Sequence, residues 1–376
     1  MKVIFMNNSG FSKITAELNF VYYISNYYPY SVWDLSEMDN RKGTFVNIEE
    51  AISIKSYSEF EAKLGEECKY EQIVVVTNMV QSAYYKVYPI LKQFNIPVID
   101  TQKNNFMKYL EQKTALDFRI KMPFRLRLKR FLNNIERIRA INKKIKYNGV
   151  KFDYLLSAYN FAPEEVIHFT KTHNVKYDEY LKYKGSDNPI GRDYILFIDS
   201  ATCYHPADYK NDPNFDEEHH LKQLNDYFDL IENKVNKPVV ISLHPCSVGH
   251  LTEDSFNGRK TVYSQTSMYI QHASFVISFF STSLINVILA KKPSLIITSE
   301  EIVTSMRRTQ EECAYVLARM CGFTIDSLDE PSLKLPLVND AKYNDFIETY
   351  LVNFEKKDKS NGEMIIDLLK LIENRK

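Results

Sequence analysis

"VVISLHPCS" (239–247) and, some thirty residues on, "FVISFFSTSLINVILAKKPSLI" (275–296) decide the fold. Each opens with a short run of apolar and β-branched residues, the length and composition of a buried strand. The first run stops at His244-Pro245. The second breaks at Ser281, Thr282 and Ser283, after which apolar residues return at helical spacing and a further strand, "PSLIIT" (293–298), follows. Strand, loop, helix and strand in that order predict a parallel sheet covered by helices.

The same alternation extends in both directions. Strands are expected at "KVIFMN" (2–7), "YSVWDL" (30–35), "QIVVVTN" (72–78), "IPVIDT" (96–101), "FDYLLSAY" (152–159) and "YILFIDS" (194–200). Helices are expected at 14–28, 58–67, 82–94, 216–235 and 281–292, with a helical C-terminus crossing back to the first domain. The polar stretch "KYKGSDNPIGRD" (182–193) reads as a linker. At 376 residues the chain is long enough for two cores. The expected architecture is α/β: two doubly wound Rossmann-like domains, 1–185 and 186–345, facing a cleft, then C-terminal helices over 346–376.

Composition narrows the chemistry. Forty-eight basic residues balance 48 acidic ones, so no global charge draws the chain to nucleic acid. Only ten glycines are present, and neither GxGxxG nor GxxxxGK[ST] occurs. Cys68, Cys203, Cys246, Cys313 and Cys321 are scattered without a CxxC pair, as expected of reduced thiols in cytoplasm. Residues 113–151 hold thirteen Lys and Arg against Asp117 and Glu136, interleaved with apolar residues. That basic amphipathic segment is a candidate for peripheral contact with anionic lipid at the inner face of the membrane.

In open parallel sheets, ligands bind outside the carboxyl ends of the strands. His244 ends a strand, and Pro245 discourages a helix from starting there. Ser281, Thr282 and Ser283 sit where a helix begins, so one of them is expected as its N-cap, with backbone N–H groups available to an anion. A histidine and a hydroxyl-bearing helix start at one end of one sheet predict a phosphate site.

The HP pair and the downstream Ser/Thr run resemble the bacterial GT-B glycosyltransferases of surface polysaccharide synthesis (capsule, O-antigen, lipooligosaccharide), specifically the sialyltransferase-like and Kdo-transferase-like families. The likeness covers mainly residues 194–298. It implies that His244, Pro245, Ser281, Thr282 and Ser283 bind the nucleotide part of a sugar donor. The partners implied are that donor, CMP-linked or UDP-linked, and a glycan or glycolipid acceptor. One element of the pattern is missing: those families carry a D/E-D/E-G acidic motif, and the nearest acid here is Asp199 in "FIDSA".

Asp199 closes an apolar strand and is the first candidate for catalytic base beside His244; His205, Asp34 and Asp100 are weaker ones. Glu300 and Glu301, after strand 293–298, are candidates for the ribose hydroxyls. Arg259 reads as a surface residue, and His219 and His220 as solvent-facing on a charged helix. No DxD occurs, so neither a metal nor another cofactor is expected. A polyol-phosphate transferase of the teichoic-acid type and a non-catalytic scaffold of a polysaccharide assembly complex stand as alternatives.

Overall fold

The computed structural model describes residues 1–8, 10–39, 47–69, 72–77, 81–101, 152–158, 166–204, 215–304 and 308–375. Segment 113–151 and His205 lie outside these. The described residues form two compact units. One takes those up to 105, those within 121–175 and 352–376; the other takes those of 176–351.

The first unit is built on a seven-stranded parallel sheet of β1 (Lys2–Asn7), β2 (Tyr30–Asp34), β3 (Ala51–Ser53), β4 (Ile73–Thr77), β5 (Val98–Asp100), β6 (Phe152–Ser157) and β7 (Val166–Lys171). Its order is β3-β2-β1-β4-β5-β6-β7. Successive side chains of a strand point to opposite faces. Accordingly Val3 and Phe5 of β1 join one core cluster while Ile4 and Met6 join another. Both faces of the central strands are covered, which is why β1 and β4 read as near-continuous apolar runs rather than alternating ones.

One cover is supplied by the far end of the chain. Helix Asn361–Glu373 buries Ile365, Ile366, Leu368, Leu369 and Ile372 against the Val3–Phe5 face. Full burial of such side chains contributes about 1.5–3 kcal/mol each. The helix starts at a capping box: Ser360 Oγ accepts the Glu363 N–H at 3.1 Å, and Glu363 Oε2 accepts the Ser360 N–H at 2.6 Å. Gly362 is required there, because a Cβ at that position would stand 2.8 Å from the Tyr23 ring.

The second unit has a six-stranded parallel sheet: β8 (Ile195–Ile198), β9 (Val239–Leu243), β10 (Thr261–Tyr263), β11 (Val276–Ser278), β12 (Ser294–Thr298) and β13 (Thr324–Ser327). The order is β10-β9-β8-β11-β12-β13. From β8 the chain winds outward through β9 and β10, then returns to the other flank of β8 with β11. The strand order therefore reverses between β8 and β11. Helix Glu217–Val235 packs Leu224, Tyr227, Phe228 and Ile231 onto this sheet.

Several expectations are corrected. The segment 14–28 is not one helix but two, Lys13–Leu18 and Val21–Ile24, separated at Phe20, whose φ of +60° lies in the left-handed region. Helix 281–292 contracts to Leu284–Leu289. Four strands, β3, β7, β10 and β13, were not foreseen.

Candidate functional site

Asp199 follows β8 directly, and its carboxylate organises the carboxyl end of the second sheet. Oδ2 accepts the His244 N–H at 3.0 Å, and Oδ1 accepts the Ala201 N–H at 2.8 Å. Ala201 is fully buried with φ +52°, a conformation that disfavours any side chain with a Cβ and persists only where the surroundings impose it. Ser200 Oγ donates to the Phe280 carbonyl at 2.9 Å, and Ser278 Oγ to the Ile198 carbonyl at 3.2 Å. The loop after β8 is thereby tied to the loop after β9 on one flank and the loop after β11 on the other. The loops after β8 and β11 border the reversal of strand order, where open α/β sheets take their ligands, and the loop after β9 lies beside them.

His244 has extended backbone (φ −69°, ψ 148°) and caps the short 3₁₀ turn Pro245–Ser247 with its own ring: Nδ1 accepts the Cys246 N–H at 3.1 Å. An Nδ1 that accepts must be unprotonated in the neutral ring, so the proton resides on Nε2. Pro245 occupies the first position of the turn, where its missing N–H costs nothing. The sequence signal and the structure agree on why the histidine sits on a turn.

The serine-threonine run departs from expectation in detail. Ser283 is the N-cap residue but makes no side-chain capping bond. Ser281 Oγ does that work, accepting the Ser283 N–H at 3.2 Å. The next donors are also used, Leu284 N–H by the Ser281 carbonyl and Ile285 N–H by the Thr282 carbonyl. A six-residue helix with its first N–H groups engaged has little dipole to offer an anion. What this segment presents is hydroxyl: Thr282 is exposed, and Ser281 and Ser283 are half-buried.

The remaining candidates separate clearly. Asp199 is engaged by two backbone donors, which suits a positioning role better than the expected role of base. Asp34 is 3% exposed and holds the Ser36 N–H and Oγ and the Asn47 side-chain amide. Glu300 is exposed just beyond β12, its N–H donating to Asp329. Glu301 accepts the Asp216 N–H at 2.5 Å and lies 3.6 Å from His219 Nδ1, at the start of helix Glu217–Val235.

Two readings are overturned. Arg259 is not a surface residue: it is 9% exposed, pairs with Glu232 at 2.7 Å and with Asp229, and hydrogen-bonds Asn225 and the Phe256 carbonyl. His220 is not solvent-facing. It is 1% exposed between Phe215 and Phe279, and its buried Nδ1 has no hydrogen-bond partner among the described residues. Burial, with His219 next to it, pushes its pKa down to about 3.

Sequence reasoning missed Ser200, the hydroxyl that fastens the loop after β8 to Phe280; its adjacency to Asp199 in "FIDSA" was the available signal. Among the described residues no three His, Cys, Asp or Glu side chains are placed to share a metal ion, and no helix is long and apolar enough to cross a membrane.

No protein-family model and no curated protein sequence matches the chain. Solved structures do resemble it in fold. The H444N variant of the wall teichoic acid polymerase TagF matches with a TM-score of 0.51 and 13% identity, over 99% of this chain and 90% of that one. The glycosyltransferase SnogD from Streptomyces nogalater matches with a TM-score of 0.51 and 11% identity, over 99% of both chains. With two parallel-sheet α/β units and these likenesses, the chain has a GT-B-like fold of two Rossmann-like domains.

Proposed function

We propose that the protein is a metal-independent glycosyltransferase. It moves a sugar from a nucleotide-activated donor, with a CMP-linked acidic sugar of the sialic acid or Kdo type favoured over a UDP-hexose, to a bacterial surface glycan or glycolipid. The observation that carries this reading is the lock among three loops at the reversal of strand order, made by Asp199 and Ser200, with His244 held in one tautomer.

In this reading His244 Nε2–H donates to a phosphate oxygen of the donor and strengthens that bond as negative charge builds on the leaving nucleotide. A donor fixed in advance loses nothing to reorganisation during the reaction. Thr282 and Ser283 add hydroxyl donors from the neighbouring loop, and Pro245 keeps the His244 backbone extended. Asp199 acts through His244 by fixing its main chain. Glu300 is assigned to the ribose end of the donor.

A polyol-phosphate transferase of the teichoic-acid type is the second reading, favoured by the fold it shares with TagF. The same clamp would serve a CDP-linked donor there. Calorimetric titration with CMP, CDP, UDP and GDP tests both. Binding of one nucleotide, lost in His244→Ala with the fold intact, supports the phosphate site and names the donor class. Failure of the folded protein to bind any of the four would remove both enzymatic readings and leave the scaffold.

A further inference from the structure

Two rings are stacked at the carboxyl end of the second sheet, outside the clamp described above. Tyr204, from the loop after β8, and His250, from the loop after β9, lie with centroids 4.5 Å apart and planes inclined by only 11°. Tyr204 is the fixed member of the pair. It packs against the apolar core of the unit, its Oη hydrogen-bonds the Glu217 carboxylate, and its N–H donates to the Ala201 carbonyl at 3.1 Å.

His250 is the outer member. Two successive turns carry the chain to it from His244, Ser247 N–H to the His244 carbonyl at 2.9 Å and His250 N–H to the Ser247 carbonyl at 3.1 Å. It is exposed, as are Val248 and Gly249 beside it, and a Cβ at Gly249 would meet nothing within 4 Å. Near-parallel rings at this separation form an offset stack, one of the arrangements aromatic pairs favour. Here a flat imidazole is backed by a second ring and faces outward, six residues from the histidine assigned to the phosphate.

We infer that the Tyr204–His250 stack is the seat of the donor's nucleobase. Planar heteroaromatic rings stack on such platforms whatever their edge pattern, so the stack supplies affinity common to all bases. The inference rests on the nucleotide-donor reading above and adds to it the residues that take the base.

The test is equilibrium binding of CMP and UMP to the full chain and to His250→Ala, His250→Leu, His250→Phe and Tyr204→Phe, each checked by thermal melting. Loss of about tenfold in affinity is expected for the Ala and Leu variants. The Phe variant at 250 should hold wild-type affinity, because it keeps a ring. Tyr204→Phe should also hold it, because it loses only the Glu217 bond. Leu fills comparable space without a π face, so retained binding in His250→Leu would overturn the proposal and make the pair a brace for the loop. Unchanged binding in His250→Ala, or loss in His250→Phe, would overturn it as well, while leaving the phosphate site standing. Absence of nucleotide binding by the wild-type chain would overturn both readings together.

Discussion

His173 and His244 invite comparison, since each stands just past the carboxyl end of a parallel strand, one in each unit. His173 is 2% exposed, and both ring nitrogens are engaged by the returning C-terminal segment. Nδ1 accepts the Asn353 N–H at 2.9 Å; Nε2 therefore carries the proton and donates to the Lys359 and Lys356 carbonyls at 2.9 and 3.2 Å. Its own N–H donates to Asn361 Oδ1 at 2.9 Å. His244 is half-buried, its Nδ1 is satisfied by a neighbour two residues away, and its backbone is fixed by an acid from the adjacent strand. The same residue type in the same kind of place is a clasp in one unit and a ligand candidate in the other. What separates the two rings is burial and the partner of Nδ1, which lies 180 positions away for His173 and two for His244.

That contrast breaks most sharply on substitution. His244→Ala should lower turnover by about 10²–10³-fold, the usual cost of one preorganised donor, while Tm moves by no more than about 2 °C. A melting loss as large as the activity loss would make His244 a second clasp. His173→Ala should do the reverse. Losing several buried hydrogen bonds and their packing costs about 2–4 kcal/mol in denaturant unfolding, with kcat/KM of the folded fraction unchanged.

A third histidine sharpens the comparison through pH. His220 keeps a pKa of about 3 when folded, against about 6.5 in an unfolded chain. As pH falls below 6.5 the unfolded chain takes up the proton first. The contribution to stability is thus complete above pH 6.5 and drains away as pH falls toward 3. Between pH 7 and pH 5 the loss from this group is about 2 kcal/mol. Replacing it by Phe should flatten the unfolding free energy over that interval; an equal slope in the variant would assign the acid sensitivity elsewhere.

The smallest effects lie in the serine-threonine run. Ser281→Ala removes the capping acceptor of Ser283 and should cost about 1 kcal/mol of stability. Thr282→Ala removes an exposed hydroxyl and should leave the melt unchanged, so any rise in donor KM reports a contact with substrate.

The legible strands of the fold share one property. All four that sequence reading missed, β3, β7, β10 and β13, are sheet edges. Strands such as β4, β8, β9 and β12 are buried along their whole length and therefore dominated by apolar residues. The edge strands "AIS", "TVY" and "TIDS" are only three or four residues long and half-exposed, too short for a periodic signal, while β7 ("VIHFTK") has strand composition and was simply overlooked. At the site, His244 and Asp199 were legible because each follows an apolar strand. Ser200, His173 and the burial of His220 were not, because each depends on a residue at least 59 positions away: Phe280, Asn353 and Phe279. Arg259 failed for the same reason: its partners lie on the helix Glu217–Val235, which only tertiary packing brings to it.

The last helix has a consequence for how the molecule is made. The β1 face that holds Val3 and Phe5 leaves the ribosome about 360 residues before its cover, Ile365 to Ile372. The second unit, by contrast, has all six of its strands between residues 195 and 327. Vectorial synthesis therefore delivers everything the second sheet needs while the first still has an uncovered flank. Translation that stalls within the final turns of residues 361–373 would release a chain with one finished unit and one open core, a natural client for chaperones.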